Sequence, residues 1–356
     1  MKKKILIFLR FTFFLGIGIF FIWLFLRNLS IDEKKEIIKA LKLANYWWII
    51  VAIILGVLSH WIRAMRWRIL IEPLGYEPKK SNVFMAVLVG YLANLALPRL
   101  GEVSRCGILT QYEKIPFNRS FGTVITERAI DMLAFLALFL IMIFTMSKEL
   151  ASYVDEKIYT PLINKFNISG DLNSTLLISI AAVLSILLLV FFIFRKQIAA
   201  TKIYVKFSTL FIGFLSGIKS LIIIKKPLLF VTYTVLIWVL YLLMAYVVFF
   251  SLPETSQLSI EAGLAVLVFG SVGIMVVQGG IGIYPAIVAE TLVLFTIVPT
   301  TGYAMGWLIW SSQTMMIIIA GLFSLLLLNT FNSKANVEIR PDSAKNINPA
   351  STKTTD

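Results

Sequence analysis

The sequence predicts an all-α, polytopic membrane protein, and two observations support this fold class. Of its 356 residues, 59% are hydrophobic and only 15% are charged, whereas a typical soluble domain is about 45–50% apolar. The apolar residues also form long continuous runs, without the alternation of polar and apolar positions that marks a strand. Because every backbone group must be hydrogen-bonded inside hydrocarbon, we expect these runs to cross the membrane as helices.

Six runs come close to the length of about 20 apolar residues that a helix needs to cross a hydrocarbon core about 30 Å thick. The first follows three lysines and lacks a small-residue cleavage site behind it, which favours a permanent anchor over a signal peptide. The predicted spans are residues 5–26, 46–62, 130–146, 174–194, 228–250 and 303–328.

Two further apolar regions are interrupted by residues that break helices. Residues 83–97 end at the sequence Pro-Arg-Leu-Gly-Glu, and residues 262–277 end at Gln-Gly-Gly-Ile-Gly before the run resumes over 283–298. Interrupted helices at membrane depth are tolerated only where protein or a water-filled cavity surrounds them. We therefore predict two re-entrant hairpins.

The basic residues predict the sidedness of the loops, because Lys and Arg collect on the cytoplasmic side. Residues 195–226 hold seven basic residues and no acidic one, and residues 63–80 hold five basic residues. Both loops and both termini are expected in the cytoplasm, with residues 147–173 and 251–259 outside. This arrangement predicts the cytoplasmic (inner) membrane, and it explains the net charge of +14 without a nucleic-acid partner.

The remaining segments are predicted to lie beside or outside the membrane. Residues 30–45 have the pattern of an external amphipathic helix with Ile31, Ile38 and Leu41 on one face, and Ser30 with Glu33 has the pattern of a capping box. Residues 198–224 are expected to anchor at the membrane interface. Residues 1–330 form the predicted membrane domain, and residues 331–356 a disordered cytoplasmic tail.

The sequence predicts no metal or nucleotide cofactor. One cysteine and one histidine provide little material for a disulfide, a zinc site or a histidine-based triad. No G-x-x-x-x-G-K-[ST] motif is present, which argues against ATP-driven transport within this chain.

Ionisable residues within apolar segments are costly and therefore mark candidate sites. Around the first break, a helix that restarts after Pro98 would bring Glu102 onto one face with two arginines. Two guanidinium groups and one carboxylate leave one positive charge, which could bind a phosphate headgroup. A hairpin tip held by salt bridges is the structural alternative. The candidates are Asn94, Arg99, Glu102 and Arg105.

Two more clusters follow along the chain. Glu127, Arg128 and Asp131 stand at the predicted start of a span, where Asp131 can pair with Arg128 or with an arginine of the first hairpin. At the second break, glycines allow close approach and expose backbone N–H groups, and a restarting helix would direct its positive end into the break. Glycine-mediated packing is the alternative there. These candidates are Gln278, Gly279, Gly280, Gly282 and Glu290.

The two interrupted regions occupy matching positions in the two halves of the chain. Each lies between two predicted spans, and one hairpin is entered from inside and the other from outside. This pattern is typical of an inverted-topology repeat, in which broken helices of both halves meet at a substrate site near the membrane midplane.

Four short motifs occur in order along residues 5–328. They are Arg-Ala-Met-Arg-Trp-Arg from Arg63 with a following Leu-Gly pair, Asn94 with Leu97 to Glu102 and Arg105, Glu127-Arg128 with Asp131, and Gly-Gly-Ile-Gly leading to Glu290. With these motifs the chain resembles the flippase-like membrane domain of lysylphosphatidylglycerol synthases and of their stand-alone relatives. Tyr284 and Pro285 depart from the pattern, because relatives often have an acidic residue there.

The resemblance implies the lipid-translocating part of those synthases, since the sequence leaves no room after the last span for a soluble aminoacyl-transferase domain. We therefore expect a non-enzymatic translocator of a lipid or lipid-linked substrate with an anionic or aminoacylated headgroup. Two alternatives stay open: a membrane-embedded transferase that modifies a lipid headgroup, with Glu127, Asp131 or Glu290 as general base, and a non-catalytic scaffold of a lipid- or glycan-synthesis complex. A homo-oligomer or a lipid-synthesis partner is compatible with each of them.

Overall fold

The computed structural model describes residues 29–97, 99–155 and 224–333, together with residues 16, 19, 20, 22–27 and 160. Every regular element in these ranges is helical, as the composition predicts. Short 3-10 turns occur at Glu72–Leu74, Phe249–Ser251, Pro253–Thr255 and Gln278–Gly280. In chain order the helices are α1 (Ile31–Leu43), α2 (Tyr46–Ile71), α3 (Lys80–Ala96), α4 (Leu100–Glu113), α5 (Phe117–Thr145), α6 (Ser147–Val154), α7 (Pro227–Val248), α8 (Ile260–Val276), α9 (Ile283–Val293) and α10 (Pro299–Ser333).

Four helical segments are long and apolar enough to cross a membrane: Tyr46–Leu74, Phe117–Thr145, Pro227–Ser251 and Pro299–Asn332. They contain four of the six predicted spans. The predicted span 174–194, most of span 5–26, the interfacial segment 198–224 apart from Ile224, and the tail beyond residue 333 lie outside the described residues.

Three helices extend further than the sequence predicted, and two of them continue through charged residues. Helix α2 continues to Ile71 instead of ending near residue 62, and α5 begins at Phe117 rather than at residue 130. The prediction ended each span where charged residues begin. Because those charges are paired inside the bundle, as described below, they do not end the helices.

One end of the bundle, the Glu72 end, is held by polar contacts between distant parts of the chain. The Lys226 amine lies 3.3 Å from the Glu72 carboxylate. Asn82 and Asn332 exchange side-chain hydrogen bonds of 2.9 and 3.0 Å. The starts of α3 and α7 and the ends of α2 and α10 therefore meet at this end.

The opposite end, the Asn45 end, joins the segments that the sequence predicts to be external. The backbone N–H of Asn45 donates to the Ser251 carbonyl at 2.8 Å, and the Thr300 hydroxyl donates to Glu36 at 3.5 Å. The loops predicted to share a side thus lie at a common end wherever the structure describes them. Assignment of the Glu72 end to the cytoplasm stays a prediction.

The amphipathic helix α1 forms as predicted, including its capping box. The Glu33 N–H donates to the Ser30 hydroxyl at 3.2 Å, and the Ser30 N–H donates to the Glu33 carboxylate at 2.7 Å. The expected apolar face is partly wrong, because Ile31 and Ile38 are exposed whereas Ile37 is buried. Ile37 packs near α9 and α10, so α1 covers the Asn45 end of those helices.

Both interrupted regions fold as hairpins that enter the bundle from opposite ends. Helix α3 starts and α4 finishes at the Glu72 end, whereas α8 starts and α9 finishes at the Asn45 end. Helix α3 has 17 residues and is therefore about 25 Å long, shorter than a full span. A Cβ atom added to Gly101 of α4 would clash with the backbone carbonyl of Gly90 in α3, so only glycine fits at position 101.

Helix α10 packs against both hairpins through glycines. A Cβ atom added to Gly306 would lie 2.5 Å from the Pro285 Cα in α9, and one added to Gly321 would lie 2.7 Å from the Leu92 Cβ in α3. One long helix therefore makes close backbone contact with both interrupted regions.

Two buried clusters surround the centre of the bundle. One joins α2, α7, α8, α9 and α10 and includes Met244, Val288 and Met305. The other joins α2, α3, α4 and α5 around Trp67, whose side chain is fully buried. The candidate site lies between these clusters.

Candidate functional site

Two arginines of α2 form the centre of a buried charge network. Arg63 and Arg66 were predicted to lie in a cytoplasmic loop, and this prediction is wrong. Both lie within α2, and only 4% and 0% of their surfaces are exposed. Their spacing of three places both guanidinium groups on one face of the helix. That face is directed at α5.

The arginines pair with two acidic residues of α5. Arg63 lies 2.7 Å from Glu127 and 2.7 Å from Asp131. Arg66 lies 2.7 Å from Asp131 and 3.3 Å from Glu127. The expected partners of Asp131, which were Arg128, Arg99 or Arg105, are therefore incorrect. Glu127 and Asp131 stand in the middle of α5 and not at the start of a span.

Arg105 adds a third cation to this network. It lies 3.0 Å from the Glu127 carboxylate, and its guanidinium carbon lies 4.7 Å from the centre of the Trp67 ring. Three arginines thus share two carboxylates, which leaves one surplus positive charge in a buried position. Two nitrogens of Arg105, Nε and Nη2, have no hydrogen-bond partner among the described residues.

The first hairpin does not bring its own charged residues together as expected. Glu102 pairs with Arg128 of α5 at 2.9 Å, not with Arg99 or Arg105. Arg99 adopts a left-handed φ of 65° at the turn and is exposed, and it forms no ion pair within the described part of the chain. The carboxamide oxygen of Asn94 accepts a hydrogen bond of 2.7 Å from the Gly101 N–H, which fixes the start of α4 against α3.

A cavity of about 370 Å³ lies in the middle of the bundle, and both breaks contribute to its wall. Asn94 lines it from the first hairpin, Gly279 from the second break, and Arg128 from α5. His60 is the fifteenth of the 26 residues of α2, which places the cavity near the middle of that helix. Its volume is within the range of about 300–1,000 Å³ that is typical of small-molecule sites.

Two tyrosines connect the charge network to the cavity. The Nε of Arg63 donates to the Tyr241 hydroxyl at 3.3 Å, and the hydroxyls of Tyr241 and Tyr91 lie 3.4 Å apart. Both tyrosines line the cavity. The ring of His60 lies 4.4 Å from that of Tyr91. The network is thus separated from the cavity by a single layer of hydroxyl groups.

The glycines of the second break have the backbone conformation that only glycine adopts readily. Gly279, Gly280 and Gly282 have φ values of 71°, 70° and 73°. The carbonyl of Gly279 accepts a hydrogen bond of 2.7 Å from the Trp310 indole, so α10 holds the break in position. Gln278 lies in the 3-10 turn beside it. Helix α9 restarts at Ile283, close to the predicted position.

The sequence candidate Glu290 does not line the central cavity. It lines a second cavity of about 420 Å³, and its carboxylate accepts a hydrogen bond of 3.3 Å from the Tyr153 hydroxyl. Glu290 is exposed and lies beside apolar residues of α8 and α9. The structure therefore divides the predicted site residues between two separate places.

The sequence model of the family described as "Lysylphosphatidylglycerol synthase TM region" matches residues 7–321. The chain belongs to this family. The match covers all the described helices up to most of α10, and with them the charge network and the central cavity. No solved structure matches the chain.

Three curated relatives are similar to parts of this family member. A UPF0104 membrane protein of Methanocaldococcus jannaschii is 34% identical over 138 residues, or 38% of this chain and 38% of the relative. The glycosyltransferase AglD of Haloferax volcanii is 29% identical over 125 residues, or 35% of this chain and 20% of AglD. A UPF0104 membrane protein of Methanothermobacter thermautotrophicus is 28% identical over 106 residues, or 29% of this chain and 31% of the relative. The matched segments thus span less than two fifths of each relative.

Several residues of the site could not be assigned to it from the sequence. One signal was available in the spacing of the charges. Arg63 and Arg66 are three residues apart and Glu127 and Asp131 are four apart, so each pair lies on one face of a helix and the two faces can pair. His60, Tyr91 and Tyr241 each stand alone within an apolar helix. A single tyrosine in an apolar helix carries no pattern that distinguishes a cavity wall from a packed core.

Proposed function

We propose that this protein translocates a lipid or lipid-linked molecule with a charged headgroup across the membrane. The observation that carries the proposal is the cavity lined by both breaks, because the two hairpins that form it enter from opposite ends of the bundle. In membrane transporters, interrupted helices of two halves meet in this way around a substrate. A cavity bounded by both hairpins can open to either side if one hairpin shifts.

The charges around the cavity favour an anionic group in the substrate. Arg128 reaches the cavity, and 44% of its side-chain surface is exposed. The surplus positive charge of the network lies directly behind Tyr241 and Tyr91. Since Arg binds phosphate through a planar fork, Arg128 is the side chain that we assign to a lipid phosphate.

The proposal assigns no chemical step to the chain. Glu127 and Asp131, which the sequence offered as general bases, are committed to ion pairs with Arg63 and Arg66. A carboxylate that is held between two guanidinium groups is a poor proton acceptor. Glu290 does not line the central cavity and lies beside apolar residues.

The comparisons support a function related to membrane lipids or glycans. The description of the family names a lysylphosphatidylglycerol synthase, and one relative is named as a glycosyltransferase. The second name gives a specific reason to keep one alternative, in which the chain is a non-catalytic partner of a glycan-synthesis complex. In both the translocator and the partner proposal, the protein lies in the cytoplasmic membrane with its Glu72 end in the cytoplasm. Its proposed partners are lipids and not nucleic acid.

Reconstitution into liposomes tests the proposal. The purified full-length protein should speed the transbilayer movement of at least one fluorescent anionic phospholipid without ATP. The variant Arg128→Gln should slow that movement by about tenfold, the equivalent of one lost charge-assisted hydrogen bond. Arg119→Gln is the matched control, since Arg119 lies on the same helix but contacts Tyr76 at the Glu72 end.

Each alternative has its own outcome in this experiment. If every lipid moves no faster than in protein-free vesicles, the translocator proposal is wrong and the partner role is favoured. Release of a chemically altered lipid would instead favour the transferase.

A further inference from the structure

The ion pair between Glu102 and Arg128 joins the tip of the first hairpin to α5. One nitrogen of the Arg128 guanidinium lies 2.9 Å from a carboxylate oxygen of Glu102. Glu102 stands in the first turn of α4, directly after the turn of the hairpin. Arg128 also lines the central cavity, and 44% of its side-chain surface is exposed. The same guanidinium therefore holds the hairpin and borders the space that we assign to the substrate.

This pair uses only part of the bonding capacity of its two partners. A full fork between an arginine and a carboxylate has two parallel hydrogen bonds, whereas the second oxygen of Glu102 is buried and has no hydrogen-bond partner among the described residues. A buried carboxylate oxygen without a partner is costly. If Glu102 is released, it stays in the first turn of α4, where the positive end of the helix dipole stabilises a carboxylate. Glu102 can therefore leave Arg128 at a modest cost.

The base of the hairpin is held by contacts of a different kind. At the Glu72 end, the Tyr112 hydroxyl of α4 donates to the Asn329 side chain of α10 at 2.6 Å. Asn82 of α3 exchanges hydrogen bonds with Asn332 of α10. None of these four residues lines the central cavity. An anion in the cavity thus leaves the base of the hairpin in place.

A second charged contact between α4 and α5 is also out of reach of the cavity. Arg105 lies 3.0 Å from Glu127, and only 5% and 0% of the two side chains are exposed. Neither residue lines the central cavity. An anion there can therefore compete for Arg128 but not for Arg105. Because two anions on one guanidinium repel each other, exchange is favoured over sharing.

We propose that the pair of Glu102 and Arg128 is a latch that the anionic group of the substrate releases. The anion takes the guanidinium, Glu102 leaves it, and the hairpin loses one of its two charged contacts with α5. The hairpin then swings more often about its base. This inference rests on the proposed function and adds the step that couples binding to movement, because the latch keeps the hairpin closed while the cavity is empty.

The single thiol of the chain measures this movement. Cys106 is fully buried in the cluster that α4 shares with α2, α3 and α5, so a maleimide reaches it only when these helices separate. In the purified full-length protein in detergent, Glu102→Gln should speed labelling about fivefold, equivalent to about 1 kcal/mol for a partly exposed ion pair. Glu72→Gln is the matched control, because it removes an ion pair with Lys226 at the base and should leave the rate unchanged.

An anionic lipid should have the same effect on the wild-type protein. Saturating dioctanoyl phosphatidylmethanol, which carries a single phosphate charge, should speed labelling about fivefold, and dioctanoylglycerol, which lacks the phosphate, should not. Glu102→Gln should bind the phosphatidylmethanol about fivefold more tightly than the wild type, because the competing carboxylate is gone and the coupling is reciprocal. The lipid should not speed labelling of this variant further.

Two results would overturn the inference. If Glu102→Gln binds phosphatidylmethanol more weakly than the wild type, Glu102 positions Arg128 for the anion and does not compete with it. If phosphatidylmethanol leaves the labelling of wild-type Cys106 unchanged, the anion does not release the hairpin, and this measurement needs no variant to fold. Neither measurement involves transport. A lipid-dependent labelling rate in a protein that moves no lipid would reject the proposed function alone, and lipid transport with an unresponsive Cys106 would reject the latch alone.

Discussion

Replacing Glu127 by Gln should destabilise the protein more than removing an arginine from the same network. Three arginines share two carboxylates there, so Glu127→Gln raises the surplus buried charge from one to two. Breaking a buried ion pair at one partner costs about 3–5 kcal/mol. Arg105→Gln also removes an ion pair with Glu127, but Glu127 keeps Arg63 and Arg66 and the network becomes neutral. We therefore expect the remaining cost to be mainly the contact with the Trp67 ring, worth about 2 kcal/mol when desolvated.

The double variant separates charge balance from packing. Glu127→Gln with Arg105→Gln returns the surplus charge to one, so its cost should be smaller than the sum of the two single costs by about 1–3 kcal/mol. Unfolding in mixed micelles with a rising fraction of dodecyl sulfate, followed by tryptophan fluorescence, measures all three variants. Additive costs, or a single Arg105→Gln cost as large as that of Glu127→Gln, would refute the reasoning.

Three further predictions concern packing and sidedness. Gly101→Ala should destabilise the first hairpin because the new methyl group would clash with the Gly90 carbonyl. Gly107→Ala is the control: its Cα is surrounded by open space, so the variant should be neutral or gain up to about 1 kcal/mol of helix stability. Thermal unfolding in detergent compares the two variants. Cys106 is fully buried, so a maleimide should label the native protein slowly and the denatured protein fully, as mass spectrometry would show. In a Cys106→Ser background, an impermeant maleimide should label Glu254→Cys in intact cells and Lys80→Cys only after lysis; the reverse pattern would invert the predicted topology.

Helix content and the two breaks could be predicted because their signals are local. A proline at residue 98 and the glycines at 279, 280 and 282 interrupt apolar runs, and the structure shows hairpins at both places. The helix ends near Arg63 and Glu127 could not be predicted in the same way. A charge ends an apolar run equally well whether it faces water or a partner on another helix, and only the tertiary pairing distinguishes the two cases.

The composition of the site was predicted less completely than its position. Arg105, Glu127, Arg128 and Asp131 do lie together near the two breaks, but the pairing among them depends on how α2 is rotated. Arg99 was predicted to share a helix face with Glu102 and Arg105, and Glu290 was predicted as part of a site at the second break. The structure places both away from the central cavity.

The glycine contacts of α10 have a mechanical consequence. At 35 residues and about 1.5 Å per residue, this helix is a lever roughly 50 Å long, in backbone contact with α9 near one end and with α3 nearer the other. A tilt of this helix about a point between Gly306 and Gly321 would press one hairpin inward and release the other. The central cavity could then open at one end of the bundle only if it closed at the opposite end. A single helix that contacts both hairpins would thus disfavour a cavity that is open at both ends at once.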